Sequence, residues 1–485
     1  MNLDRIRDLL EKYPLQIAIV LLGGCIGFLV LMRLLRIRMG FPAILFGSLL
    51  LILAGSSSMA YLQILSKGVF RWMALAAVAG MALLYLPRSR LALNRLTPVH
   101  WGWMAFLVLA TVMAPVSGHP TFALLNCVAV SVLFVAAFGT VWFFTSDSRS
   151  VISMIDIVHR LAILILVLGV LFVAMPKAAA EKTPGGETTG QGGGRFEGFF
   201  NNPNWNGIFS AMVLPIVLWK VRYPASRTEK RISIALAVAL ALNILASGSR
   251  GSIIGAFLAC GLAQWRLGRD KLLRYGVLIV PLLALVLLTE MGRGYLESRA
   301  TTLARMDKAG TLTHRTEMWE QAWPTIQNHL AFGMGLGNSR FILLSGQTQE
   351  QEAAQIGGTG ATLHSEHIVM LADLGVPGLL WLWAFMAVIG LAGIRMWKSP
   401  RSPLSDLGFI LFCSCLVVFA DSFLHGWMSS AGSPFALLFW ILVALCLKSE
   451  RLGRAEVLAR SRGVGGWNTA GTPDSVSAAK ERMVH

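Results

Sequence analysis

Apolar runs close to the length of a bilayer recur along almost the whole chain, and they restrict the fold more than any motif does. They lie near 15–32, 40–55, 70–86, 100–115, 121–145, 159–175, 204–220, 231–247, 250–266 and 273–289, and, after a long gap, near 376–396, 406–422 and 434–447. Hydrocarbon offers no partner to a backbone amide, so such runs cross it as helices or as the strands of a closed barrel. The alternation a barrel needs is weak here. The fold class expected is therefore an all-α polytopic membrane protein with about 12 to 14 transmembrane helices. Composition agrees: 55% of the residues are hydrophobic and 14% are charged, and the mean hydropathy is +0.63. A solvated surface cannot be built from that mixture.

The formal charge is +17, but the Lys and Arg residues fall in clusters between the apolar runs rather than in one basic domain. That pattern orients a chain in a membrane and does not point to nucleic acid. The basic clusters are Arg33/Arg36/Arg38, Arg88/Arg90/Arg95, Lys220 to Arg231, Arg266 to Arg274, Arg395/Lys398/Arg401 and the tail from Lys448. By the positive-inside rule they are cytoplasmic. Their alternates then face outward: 56–69, 116–120, 176–203, the turn at 247–251, the long segment 290–375, and 423–433. The same parity puts Arg5, Arg7 and Lys12 outside unless they lie in the interface as an amphipathic helix, so it fixes no side for the N-terminus. No small-residue cleavage site precedes the first apolar run, which is expected to be retained. All six cysteines lie inside apolar runs and suggest neither a disulfide framework nor a metal site.

This gives a division into transmembrane helices with short loops over 1–289, including the outward loop 176–203; a large outward segment over 290–375; further transmembrane helices over 376–447; and a basic cytoplasmic tail over 448–485. Two outward pieces stand out. In 176–203 a Gly/Thr-rich tether leads into RFEGFFNNPNWNG, which is dense in Arg, Asn and aromatics. In 290–375, THRTEMWEQAWPTIQNHL places Met318, Trp319, Ala322 and Ile326 on one helical face, as a helix lying on a membrane or capping a cavity would. The turn-rich FGMGLGNSRF that follows has only a superficial likeness to a nucleotide loop, since no strand precedes it.

Arg195 precedes a span, and Arg250 sits in ASGSRGS, a tight turn between two spans that both end outside. Either could be an arginine snorkelling at a helix end. Outward arginines run against the charge bias, however, and both have Gly, Ser and Asn neighbours that leave room for a ligand, which suits a paired guanidinium site for phosphate. His364 closes the long outward segment in GATLHSEHIVMLADLGVPG, with His367 one helical turn on. A histidine at such a place is either a structural hydrogen-bonder or an acid–base group. No DxD and no convincing His/Asp/Glu set accompanies them, so no metal and no cofactor is expected.

Taken in order, RFEGFFNNPNWNG, SGSRGS, HRTEMWEQAW with FGMGLGNSRF, and LHSEHIVMLADLGVPG resemble the O-antigen ligase and polymerase superfamily of bacterial inner membranes. The matching residues are Arg195 with Asn202, Pro203 and Asn204; Ser247, Ser249 and Arg250; Arg315 with Trp319, Gly335 and Gly337; and His364 with Gly375. The motifs span about 195–380, with only the many spans matched before them. Ser365 stands where the family commonly has Asn, so an amide contact there is not carried over.

The resemblance implies a GT-C type glycosyltransferase that takes a glycan from undecaprenyl diphosphate and, in the ligases, joins it to lipid A-core oligosaccharide at the periplasmic face of the inner membrane. Arg195 and Arg250 would bind the diphosphate and stabilise its developing charge, with Arg315 as a third cation and Asn204 beside the donor. His364 would orient or deprotonate the acceptor hydroxyl, with His367 as a second candidate, and transfer would invert configuration without a metal. The absence of an added C-terminal soluble domain favours a ligase over a polymerase or a protein O-oligosaccharyltransferase. A lipid-linked sugar transporter or flippase is the reading from another class; it calls for internal repeats, and none is evident.

Overall fold

A computed structural model describes residues 29–35, 37, 40–57, 69–85, 97–174, 196–268, 311–344 and 363–461. Among them the chain is helical, with no strand and one isolated bridge between Ser57 and Phe200. The helices are α1 (Phe41–Ala54), α2 (Val69–Tyr85), α3 (Pro98–Met113), α4 (Pro120–Phe144), α5 (Ser148–Ala174), α6 (Pro203–Arg222), α7 (Arg227–Ser247), α8 (Arg250–Leu267), α9 (Thr311–Gln327), α10 (Glu366–Lys398), α11 (Pro403–Ser422) and α12 (Ala436–Ser461). A 3-10 turn, Asn338–Leu344, follows α9. The start signals are local: Pro opens α3, α4, α6 and α11, where its missing N–H costs nothing. Asn202, Ser226 and Ser402 each accept a first-turn amide at 2.8–3.1 Å.

Six of these helices are long and apolar enough to cross a bilayer: α3 with its 3-10 extension, α4, α5, α7, α10 and α11. The chain is a multi-pass membrane protein. Its outer face carries Val108, Leu125, Val128, Phe257, Leu380 and Leu391, each at least 50% exposed, which suits a surface that faces lipid. At the centre stands α11, 78% of whose span is buried, packed against α6, α8, α10 and α12.

Two helices start earlier than the apolar runs indicate. The fifth reaches back to Ser148, where Asp156 meets Lys220 and His159 meets Ser233 Oγ at 3.1 Å. The tenth begins at Glu366 rather than near 376, because Glu366 and Asp373 are buried and paired with backbone amides of neighbouring loops. At Gly375, with φ 66°, it bends, and a methyl there would lie 2.5 Å from the Leu330 carbonyl oxygen. The expected span at 273–289, and nearly all of that at 15–32, lie outside the described residues.

The bundle has two chemically distinct ends. One carries the described basic residues Lys220, Arg222, Arg266, Arg395 and Lys398 and is tied by buried polar contacts: Lys220 to Asp156 and Glu229, and Arg266 Nε to Asp406 Oδ1 at 2.8 Å. Arg266 also donates to the carbonyls of Trp397 and Ser399 and to Ser405 Oγ, and Tyr223 donates to Asp406 Oδ2 at 2.7 Å. The other end gathers the start of α6, the α7–α8 turn, α9, the start of α10 and the end of α11.

Candidate active site

At that second end the Asn-Pro-Asn element and the Ser-Gly-Ser-Arg turn are one structure. Asn206 and Asn243 exchange amide hydrogen bonds at 2.7 and 3.0 Å, and Asn243 also donates to Ser210 Oγ at 2.8 Å. A β-carbon added at Gly207 would lie 2.6 Å from Ser247 Oγ and 2.9 Å from Ser252 Oγ, so only Gly lets α6 approach the turn. Asn204 starts α6, its N–H held by Asn202 Oδ1 at 2.8 Å. Arg195 lies outside the described residues, but Phe196 N–H donates to Ala246 O at 3.0 Å, beside the turn that carries Arg250.

Arg250 opens α8 behind Ser249 and is exposed. An 18-residue helix presents unpaired N–H groups and a partial positive charge there, both favourable to an anion. The Asp421 carboxylate lies against the same turn, since a methyl at Gly251 would come within 2.8 Å of Asp421 Oδ1.

Beside it α9 is a helix with a buried apolar face, as its sequence pattern indicates. Met318, Ala322 and Ile326 are buried, and Ala322 and Ile326 share a small core with Ile342, Leu363 and Ala372. On the neighbouring face, Arg315 and Trp319 stand one turn apart. Trp319 Nε1 donates to Leu363 O at 2.6 Å and so pins the residue before His364. His364 is half-buried and has φ 49°, the left-handed region, and it is the only such residue other than Gly among those described. Burial lowers the pKa of the Arg315 guanidinium, and the Asp421 charge opposes that shift, so Arg315 belongs to the same electrostatic cluster.

Asp421 is buried at the end of α11 and accepts from Trp427 Nε1 at 3.2 Å while pairing with His425 Nδ1 at 3.0 Å. The loop that carries His425 is fixed to α10 through Glu366, whose two oxygens accept the amides of Met428 and Ser429 at 2.9 and 2.8 Å. His367 sits at the rim. Its Nδ1 accepts from Trp383 Nε1 at 3.1 Å, its Nε2 lies 3.2 Å from Ser422 Oγ, and its ring stacks on Phe423 at 4.2 Å. With Nδ1 an acceptor and Nε2 donating to Ser422, both ring nitrogens are engaged.

The glycine-rich stretch is a clamp on α10 rather than a ligand loop. Gly337 N–H and Ser339 N–H both donate to the Asp373 carboxylate at 2.7 Å, with Gly333, Gly335 and Gly337 all at positive φ. Arg340 lies over Phe122 at 4.6 Å, and Phe341 lies against His119 at 4.1 Å, which joins this stretch to the α3–α4 turn. Burial lowers the Arg340 pKa and Asp373 opposes the shift. Among the described residues no three His, Cys, Asp or Glu side chains gather as a metal site.

Residues 235–383 match the family described as O-antigen ligase. Over that segment the chain is similar to the O-antigen ligase/polymerase superfamily. No curated protein matches it. The matched segment of the O-antigen ligase family contains Arg250, Arg315, His364 and His367; Arg195, Asn204, Asp421 and His425 lie outside it. The family's members are membrane glycosyltransferase-like enzymes, which supports a transferase in general terms. The structure sets Asp421 against the turn that carries Arg250 and within electrostatic reach of Arg315, while Trp319, one turn from Arg315, holds the Leu363–His364 corner. Sequence reasoning missed Asp421 and His425, for which the only signal was an acidic residue and a histidine four apart at the end of an apolar run.

Proposed function

We propose that the protein is an O-antigen ligase: a GT-C type enzyme of about 12 to 14 spans that moves a glycan from undecaprenyl diphosphate to a hydroxyl of lipid A-core oligosaccharide. The site faces the periplasm from the bacterial inner membrane, because the opposite end of the bundle carries the basic clusters. This reading is supported by three contacts at the end opposite Lys220 and Arg266: Asp421 lies against the α8 turn next to Arg250, its charge acts on Arg315, and Trp319, one turn from Arg315, holds the residue before His364.

Arg250, Arg315 and, by its motif, Arg195 hold the diphosphate and take up the charge that grows on it as the anomeric C–O bond breaks. Asn204 stands at the donor side, and His364 meets the acceptor hydroxyl. The hydroxyl oxygen attacks the anomeric carbon opposite the departing diphosphate, which inverts configuration. Guanidinium groups supply the positive charge, so the step calls for no metal. Purified protein given lipid-linked glycan and lipid A-core should form the joined product. Elongation on the lipid carrier alone would make it a polymerase, glycan on a protein acceptor would make it an oligosaccharyltransferase, and carrier movement without bond formation would make it a flippase.

A further inference from the structure

We propose that His425, oriented by Asp421, is the base that takes the proton from the acceptor hydroxyl; this rests on the transferase reading above. Asp421 is buried and, as a carboxylate, can only accept. Its contact with His425 Nδ1 at 3.0 Å therefore places the ring proton on Nδ1 and leaves Nε2 with its lone pair free. Nε2 makes no hydrogen bond among the described residues, and the side chain keeps 17% of its surface exposed rather than being sealed in the core. The second Asp421 oxygen is held by Trp427, so the carboxylate cannot swing away.

The position fits the chemistry. Asp421 lies against the first turn of α8 beside Arg250 and reaches Arg315 electrostatically, so the dyad borders the cations proposed for the diphosphate. The loop carrying His425 also touches the acceptor corner, since a methyl at Gly426 would lie 3.5 Å from the Ser365 carbonyl. By contrast His367 has both nitrogens in use. His364 is then left to orient the hydroxyl. The step balances: the acceptor O–H proton goes to His425 Nε2, the oxygen forms the new bond to the anomeric carbon, and the C–O bond to phosphate breaks with its electron pair leaving on undecaprenyl diphosphate.

The test uses the whole protein with undecaprenyl-diphosphate-linked glycan and two nucleophiles: the lipid A-core hydroxyl, which needs a base, and azide, which arrives as an anion and needs none. Removing a general base costs about 100- to 10,000-fold. His425→Gln should lose hydroxyl transfer by at least about 100-fold, with donor KM little changed, and should form glycosyl azide at the wild-type rate. Asp421→Asn should show the same split to a smaller degree. His425→Asn is run in parallel, so that a folding defect in one variant does not decide the result. Both reactions retained, or both lost in the two histidine variants, would overturn the assignment. Wild-type protein that joins glycan to no acceptor would instead remove the transferase reading itself.

Discussion

Replacing Trp319 by Phe removes a single hydrogen bond and leaves an aromatic ring in its place on α9. That bond, Nε1 to Leu363 O at 2.6 Å, fixes the residue before His364, which is held at φ 49°. A left-handed conformation costs a residue with a β-carbon about 1–2 kcal/mol, although His tolerates it better than most. A hydrogen bond contributes about 0.5–1.5 kcal/mol net, so the two are of one size and the bond can hold the strained corner. Without it the corner relaxes toward ordinary backbone and must be restored at each turnover. A penalty of about 0.5–1.5 kcal/mol is a loss of about 2- to 13-fold in kcat. Donor KM should change little, because the arginines are untouched. The assay is steady-state transfer in detergent, with Trp323→Phe, an exposed position 45% accessible, as the control. A Trp319→Phe enzyme with kcat indistinguishable from the control would refute a role for this bond in holding His364.

Asp406→Ala strands the buried Arg266 guanidinium and should destabilise the protein by about 3–5 kcal/mol, read as a lower unfolding temperature; unchanged unfolding would mean that the basic end is not locked this way. Gly375→Ala places a methyl 2.5 Å from Leu330 O at a φ of 66°, so it should sharply reduce the folded protein recovered from membranes, and a normal yield would contradict the bend. Arg250→Lys keeps the charge but loses the planar fork, and donor KM should rise about tenfold for about 1.4 kcal/mol of lost contact; an unchanged KM would leave Arg250 as an interfacial charge.

Much of the fold was legible because hydrocarbon imposes one simple rule. Runs such as 204–220, 231–247 and 406–422 reappear as α6, α7 and α11 with little displacement. The early start of α10 was not legible: Glu366 and Asp373 read as loop charges until the amides of Met428, Ser429, Gly337 and Ser339 are seen to satisfy them, and no local pattern encodes those partners. The same holds at the site. Arg250, Arg315 and His364 stand in turns with distinctive composition, whereas Asp421 and His425 resemble any helix end until Gly251 is found against the carboxylate.

The most direct test of the central claim is a structure of the protein with undecaprenyl diphosphate bound. The two phosphates should lie at the first turn of α8, within hydrogen-bond reach of Arg250 and beside Arg315, with the His425 ring facing the same space. Phosphates bound at the opposite end, near Lys220 or Arg266, would contradict it.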